Sequence, residues 1–120
     1  MTTMMATLFA AAAGGALGAM IRVGIVTYVL PSPLGILVLN VAGALMLGFV
    51  LTFLEGRQAL LTVFLGGGLM GALTTFSTFS GDAVRLASSP PLRAANYVSA
   101  TVCGAILAFV LGAALARAAL

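Results

Sequence analysis

A run of glycine, threonine, serine and phenylalanine lies within a hydrophobic stretch long enough to cross a bilayer. It reads GGGLMGALTTFSTFS over residues 66–80. Glycine and threonine are weak helix formers, and polar groups at membrane depth are costly unless they face protein, water or an ion. The run therefore predicts an interrupted helix. Its freed carbonyls can bind a cation, and its freed N–H groups and hydroxyls can bind an anion.

The side chains of this run suit a small anion. Hydroxyl groups occur at five of seven consecutive positions, namely Thr74, Thr75, Ser77, Thr78 and Ser80. An isolated serine or threonine often bonds to its own helical turn, but a group of this density indicates a polar passage. Phe76 and Phe79 share a helix face because they are three residues apart. Core packing is the ordinary role of such rings, but their edges carry partial positive charge and can contact a dehydrated anion.

Two other apolar stretches carry polar side chains at helical spacing. Asn40 shares a face with Gly43, and its amide offers two N–H donors. It either lines a passage or joins two helices by a hydrogen bond. Tyr97, Thr101 and Ala105 form a face at spacing four. They either flank a pore or combine an interfacial tyrosine with one helix–helix hydrogen bond.

The charged residues favour an anion over a cation. Glu55 and Asp82 are the only acids, whereas a cation pathway usually contains carboxylates within the membrane. Asp82 is a candidate site residue expected near the membrane boundary, and its ordinary interpretation is a solvated pair with Arg85 three residues later. With no histidine and so few acids, the chain lacks a His-ligated metal site and a catalytic carboxylate pair. An enzyme is therefore not expected.

These residues must be positioned by membrane helices. Of the 120 residues, 62% are hydrophobic and 6% are charged, and the mean hydropathy is +1.27. A soluble domain of this size cannot bury so much apolar surface. We predict an all-α integral membrane protein with a single domain, residues 1–120. Its four spans cover about residues 4–28, 34–54, 59–85 and 94–117, and the third is broken.

The arginines give little preference for either membrane orientation. With four spans, Arg57 and Arg117 lie on one side, and Arg85 and Arg93 lie on the other, joined by Arg22 if it reaches that end. Arginine bias normally sets topology, so this chain is expected to insert both ways and to pair as an antiparallel homodimer. The arginines are too dispersed to form a nucleic-acid patch, and no nucleic-acid partner is expected.

Three motifs resemble the Fluc (CrcB) family of fluoride channels, and the resemblance extends over essentially the whole chain. They are GGALGAMIR at 14–22, GILVLNVAG at 35–43 and GLMGALTTFSTF at 68–79. The resemblance implies a dual-topology antiparallel homodimer with two pores in the cell (inner) membrane. It implies passive, selective fluoride export that gives fluoride resistance, and a structural sodium ion at the dimer centre.

The family resemblance also implies roles for individual residues. The sodium ion would be held by the backbone carbonyls of Gly71 and Thr74 of both subunits, and Arg22 would lie in the aqueous vestibule. The implied fluoride pathway comprises Asn40, Phe76, Phe79, Thr75, Ser77, Thr78, Tyr97 and Thr101. The chain departs from the family pattern at Ala105, which has no hydroxyl, and at Asp82, where the family often has glutamate.

Two other functions fit a small four-span protein. A dual-topology multidrug exporter needs a membrane-embedded carboxylate, but the first span offers Arg22 and no acid, and the chain has no tryptophan. A non-conducting assembly subunit would leave the threonine–phenylalanine string at 74–79 without a purpose. The sequence therefore favours the channel.

Overall fold

The computed structural model describes residues 1–88 and 90–120, and in this part of the chain all regular structure is helical. The helices are α1 (Thr2–Gly24), α2 (Leu34–Phe53), α3 (Ala59–Thr62), α4 (Gly71–Leu73), α5 (Phe76–Ala87) and α6 (Pro91–Ala118). Two π-helical segments, Ile25–Val29 and Val63–Met70, extend α1 and link α3 to α4. An α-helix beginning at Pro91 is allowed because the first turn needs no proline N–H.

In residues 1–88 and 90–120, four spans are long and apolar enough to cross a membrane. They are Thr2–Val29, Leu34–Phe53, Ala59–Ala87 and Pro91–Ala118, with mean hydropathies of 1.7, 2.4, 1.7 and 2.2. Each exceeds the ~18 residues needed to traverse the hydrocarbon core. The protein is therefore a multi-pass membrane protein, as its composition predicts.

The third span changes conformation at two threonines. Thr74 has φ −83° and ψ 153°, and Thr75 has φ −151° and ψ 122°, so both backbones are extended. Thr75 then caps α5, because its Oγ1 accepts the Thr78 N–H at 3.3 Å. A threonine at this position satisfies one of the N–H groups that a helix start leaves without a partner.

The core contains one buried cluster where the second, third and fourth spans meet and another where the second and third spans meet beside the end of the first. Ile36, Phe79 and Tyr97 form one buried cluster. Leu39, Met70 and Leu73 form a second buried cluster. Met70 and Leu73 belong to the part of the third span that precedes the extended segment. The two clusters therefore support the third span on both sides of Thr74 and Thr75.

Small residues allow the helix backbones to approach closely. A Cβ at Gly112 in α6 would lie 2.0 Å from the Leu45 carbonyl oxygen of α2, and one at Gly18 in α1 would lie 2.2 Å from the Leu69 carbonyl oxygen. Such contacts are impossible for any residue larger than glycine. The helix packing expected of glycines in membranes therefore holds at these positions.

We predict that Gly18→Ala destabilises the protein and that Gly15→Ala does not. The added methyl at Gly18 would meet backbone atoms of the third span, whereas a Cβ at Gly15 meets nothing within 4 Å in the subunit. Overpacking typically costs about 1–3 kcal/mol, while alanine gains about 0.5–1 kcal/mol over glycine inside a helix. The thermal midpoint of detergent-solubilised protein, followed by size-exclusion chromatography, should fall for Gly18→Ala alone. Equal midpoints for the two variants would contradict the packing argument.

Candidate functional site

Asn40 binds the extended segment of the third span through both ends of its amide. Its Nδ2 donates to the Thr75 carbonyl at 3.2 Å, and its Oδ1 accepts the Thr75 N–H at 2.8 Å. In a continuous helix, the Thr75 N–H would donate to the carbonyl of Gly71. Asn40 therefore takes the place of a helical partner, and it joins the second span to the third at the extended residues.

Arg22 reaches the same region from the first span. Its Nε donates to the Ala72 carbonyl at 3.0 Å, and the hydrogen bond is partly buried. Ala72 lies in the short helix α4, whose last carbonyls have no regular helical donor. Arg22 therefore supplies a donor at the end of α4, and its expected position in the aqueous vestibule stays a prediction.

Main-chain carbonyls of residues 71–74 lose their usual donors at this place because Thr74 and Thr75 are extended, and those of Gly71 and Thr74 are among them. The Thr75 N–H that would serve Gly71 goes to Asn40, and the Thr78 N–H that would serve Thr74 goes to the Thr75 hydroxyl. Carbonyl oxygens without helical donors need water, a side chain or a cation. The oxygens of Gly71 and Thr74 are therefore suited to bind a hard cation.

A cavity of about 280 Å³ lies beside the extended segment. Its polar lining comes from the second, third and fourth spans, namely Asn40, Thr74, Thr75 and Thr101. The rings of Phe76 and Phe79 also line it, and the remaining lining residues, including Ala105, are apolar. The cavity thus offers neutral hydrogen-bond donors and aromatic rings, with no carboxylate among its lining residues.

Thr101 contributes a hydroxyl that has no protein partner. It is 4% exposed, and among the described residues its Oγ1 is the one buried side-chain polar atom without a hydrogen bond. Buried polar groups are nearly always satisfied, so the hydroxyl of this cavity-lining residue remains available for a further hydrogen bond. Water and an anion are both suitable partners.

The two phenylalanines differ in exposure within the subunit. Phe76 is 78% exposed and Phe79 is 7% exposed, although their ring centroids are only 5.5 Å apart, with the planes tilted by 46°. The Phe79 ring also contacts Tyr97, with centroids 5.5 Å apart and a tilt of 35°. The pair therefore spans from the subunit interior to its surface, alongside the cavity.

Three of the predicted pathway residues do not line this cavity. The hydroxyls of Ser77 and Thr78 lie 3.1 and 3.3 Å from Thr75 Oγ1, where they surround the cap of α5. Tyr97 is buried, and its hydroxyl lies 3.5 Å from Asp82 Oδ2. In this subunit these three side chains therefore contact other protein groups.

Asp82 is paired with Arg85, as the spacing predicts, but the carboxylate is not solvated. It is 3% exposed, and its Oδ1 lies 2.6 Å from Arg85 Nη2. Its Oδ2 accepts a hydrogen bond from Ser32, in the loop between the first two spans, and lies near Tyr97. The expectation of a solvated pair is therefore wrong, because the loop and the fourth span cover the carboxylate. Nothing in the sequence pattern indicated Ser32.

Comparison with known proteins decides the family. Residues 9–113 match the family described as "CrcB-like protein, Camphor Resistance (CrcB)". The chain belongs to the CrcB family. This confirms the membership predicted from the three motifs, and residues 9–113 include every side chain of the site from Arg22 to Thr101.

Individual relatives extend the match over most of the chain. A protein of Rhodococcus jostii named fluoride-specific ion channel FluC 1 is 44% identical over 101 residues, covering 84% of this chain and 77% of the relative. One of Stutzerimonas stutzeri, named fluoride-specific ion channel FluC, is 40% identical over 123 residues, covering 91% and 95%. One of Bacillus subtilis, FluC 2, is 36% identical over 108 residues, covering 87% and 82%. These relatives are thus similar to this chain along most of their length.

Proposed function

We propose that the protein is a fluoride-specific ion channel that lets fluoride leave the cell passively. The observation that carries this proposal is the cavity beside Thr75, which combines neutral donors, two aromatic rings and the unpartnered Thr101 hydroxyl. The names of the relatives supply the identity of the anion. A channel of this kind performs no covalent chemistry, so the protein is not an enzyme.

The proposed fluoride pathway follows the polar side of the cavity. A dehydrated fluoride ion needs hydrogen-bond donors to replace its water. Asn40 has a second N–H besides the one bonded to Thr75, and Thr101 has a hydroxyl free of protein partners. Phe76 and Phe79 would contribute the positive edges of their rings. Thr75, Ser77, Thr78 and Tyr97 would extend the polar lining toward its ends.

The functional unit is proposed to be an antiparallel homodimer of two oppositely inserted subunits with two pathways. Two observations support it. The balanced arginines give little topological preference, and the Phe76 ring is 78% exposed in a single subunit. A second copy would cover this ring and complete the outer wall of the cavity. The membrane of residence is proposed to be the cell (inner) membrane.

A sodium ion is proposed to bind the carbonyl oxygens of Gly71 and Thr74 of both subunits. The redirected donors of Thr75 and Thr78 support these ligands, because they leave oxygen atoms that suit a hard cation. A bound sodium would supply positive charge that holds the two extended segments together. Its role is therefore structural, and fluoride is the transported ion.

Flux measurements in liposomes test the channel proposal. Purified protein in vesicles loaded with fluoride should release it to an electrode, while chloride-loaded vesicles should release little. The multidrug exporter would give proton flux coupled to a cationic drug, and an assembly subunit would give no flux. Either result would overturn the channel.

We predict that Phe76→Ile and Phe79→Ile each lower the fluoride efflux rate by about tenfold, which corresponds to about 1.4 kcal/mol of lost contact between ring edge and anion. Isoleucine keeps much of the apolar volume but has no positive ring edge. Phe49→Ile is the matched control, because Phe49 belongs to a different stacked pair, 5.5 Å from the ring of Phe53. Normal flux in both test variants, with intact dimers by size exclusion, would refute a role for the ring edges.

A further inference from the structure

Four residues meet at the end of the third span, outside the cavity. This carboxylate cluster consists of Ser32, Asp82, Arg85 and Tyr97. It lies beside a small pocket of about 170 Å³, lined in part by Ser32, Asp82 and Arg85. The fluoride pathway proposed above assigns no function to Arg85 or to Ser32.

The cluster places a buried negative charge next to the wall of the anion cavity. Asp82 follows Phe79 by three residues on α5, and its Oδ2 lies 3.5 Å from the Tyr97 hydroxyl. The Tyr97 ring in turn contacts the Phe79 ring, which lines the cavity. A buried charge is poorly screened by salt, so an unbalanced carboxylate here would repel an approaching anion.

Arg85 is the residue that balances this charge. In the described part of the chain, the pair it forms with Asp82 at 2.6 Å is the only salt bridge. Ser32 and Tyr97 are neutral, so they solvate the carboxylate without cancelling its charge. The Arg85 side chain is 72% exposed, which keeps its remaining guanidinium N–H groups at the surface.

We propose that Arg85 is a charge-compensating residue at the entrance to the anion pathway. It neutralises Asp82, which can then join the loop at Ser32 to the fourth span at Tyr97 without repelling fluoride. This inference rests on the proposed function, because it requires that an anion passes the cluster.

The test compares fluoride efflux from liposomes for wild type, Arg85→Lys, Arg85→Gln and the double variant Arg85→Gln/Asp82→Asn. Arg85→Gln should lower the rate by about tenfold, since local fields change ion access by this order or more. Arg85→Lys should keep most of the rate because it keeps the charge. The double variant should recover most of it, because the unbalanced carboxylate is gone.

Arg117→Gln is the matched control, since it removes one exposed positive charge at the end of α6. Wild-type flux in Arg85→Gln would overturn the inference. So would a double variant as slow as Arg85→Gln, or an equal loss in Arg117→Gln. Absence of fluoride flux in the wild type would instead overturn the proposed function itself. Size-exclusion profiles identify any variant that fails to fold. Charge compensation is supported if Arg85→Gln folds normally, conducts slowly and is rescued by Asp82→Asn.

Discussion

Asn40→Asp should nearly abolish fluoride efflux. In the wild type, Asn40 Nδ2 donates to the Thr75 carbonyl at 3.2 Å. The substitution replaces this donor by an oxygen that faces the same carbonyl. The second N–H, proposed to serve fluoride, is lost as well. The change therefore removes a donor from the pathway and abolishes one of the two hydrogen bonds that hold the extended segment.

Repulsion between the new carboxylate and fluoride is expected to cause most of this loss. At about 4 Å with an effective dielectric of about 20, two like charges repel by about 4 kcal/mol. Since about 1.4 kcal/mol changes a rate tenfold, efflux should fall by about a thousandfold. The measurement is the initial rate of fluoride release from liposomes, compared with wild type at equal protein density.

Gln58→Glu provides the matched control for Asn40→Asp. It makes the same amide-to-carboxylate change at an exposed loop position that precedes α3. Its efflux rate should equal that of wild type, because the charge is solvated and outside the cavity. If Asn40→Asp conducts as well as Gln58→Glu, Asn40 is not part of the fluoride pathway.

The sequence predicts the four spans because their signals are local. Apolar stretches of sufficient length are separated by Pro31 and Pro33, by Gly56 and by Pro90, which interrupt helices. The extended residues Thr74 and Thr75 lie inside the glycine–threonine run, where intrinsic helix propensity is weakest. The composition of this run therefore indicates where the third span departs from a helix, although not which residues do so.

The contacts of the site could not be predicted, because they join distant parts of the chain. Thr75 is 35 residues from Asn40, and Asp82 is 50 residues from Ser32. Spacing along one helix indicates which side chains share a face, but not which face of another helix they meet. For this reason the pairing of Asp82 with Arg85, at i+3, was predictable and the burial of its carboxylate was not.

The π-helical segment Val63–Met70 also has no specific local signal. Its glycines suggest weak helicity and close packing equally well. The structure indicates close packing, since a Cβ at Gly68 would lie 2.8 Å from the Ala11 carbonyl oxygen of the first span. Close packing against α1 therefore requires glycine at this position.

Gly43→Ala should also cause a large loss of fluoride efflux, by displacing Thr74. A Cβ at Gly43 would lie 2.5 Å from Thr74 Cγ2. Thr74 has little freedom to rotate away, because its Oγ1 donates to the Met70 carbonyl at 3.0 Å and β-branched side chains have restricted rotamers. The second and third spans must therefore separate to admit the methyl group.

This separation should disturb the site directly, because Gly43 follows Asn40 by three residues on the same face of α2. Moving α2 outward lengthens the two Asn40–Thr75 hydrogen bonds of 3.2 and 2.8 Å. A misplacement of about 1 Å in a positioned site can cost about a hundredfold in rate. We therefore expect a loss of that order in liposome efflux, with the protein still purifying as a single species.

A second substitution separates this steric cause from general misfolding. Thr74→Ser removes Cγ2 but keeps the hydroxyl and the main-chain carbonyl. The double variant Gly43→Ala/Thr74→Ser should therefore recover most of the efflux rate that Gly43→Ala loses. Gly81→Ala serves as the control, because a Cβ at this exposed glycine of α5 meets nothing within 4 Å in the subunit. Failure of the double variant to recover, with Gly81→Ala at the wild-type rate, would show that contact between Gly43 and the Thr74 methyl group does not set the geometry of the site.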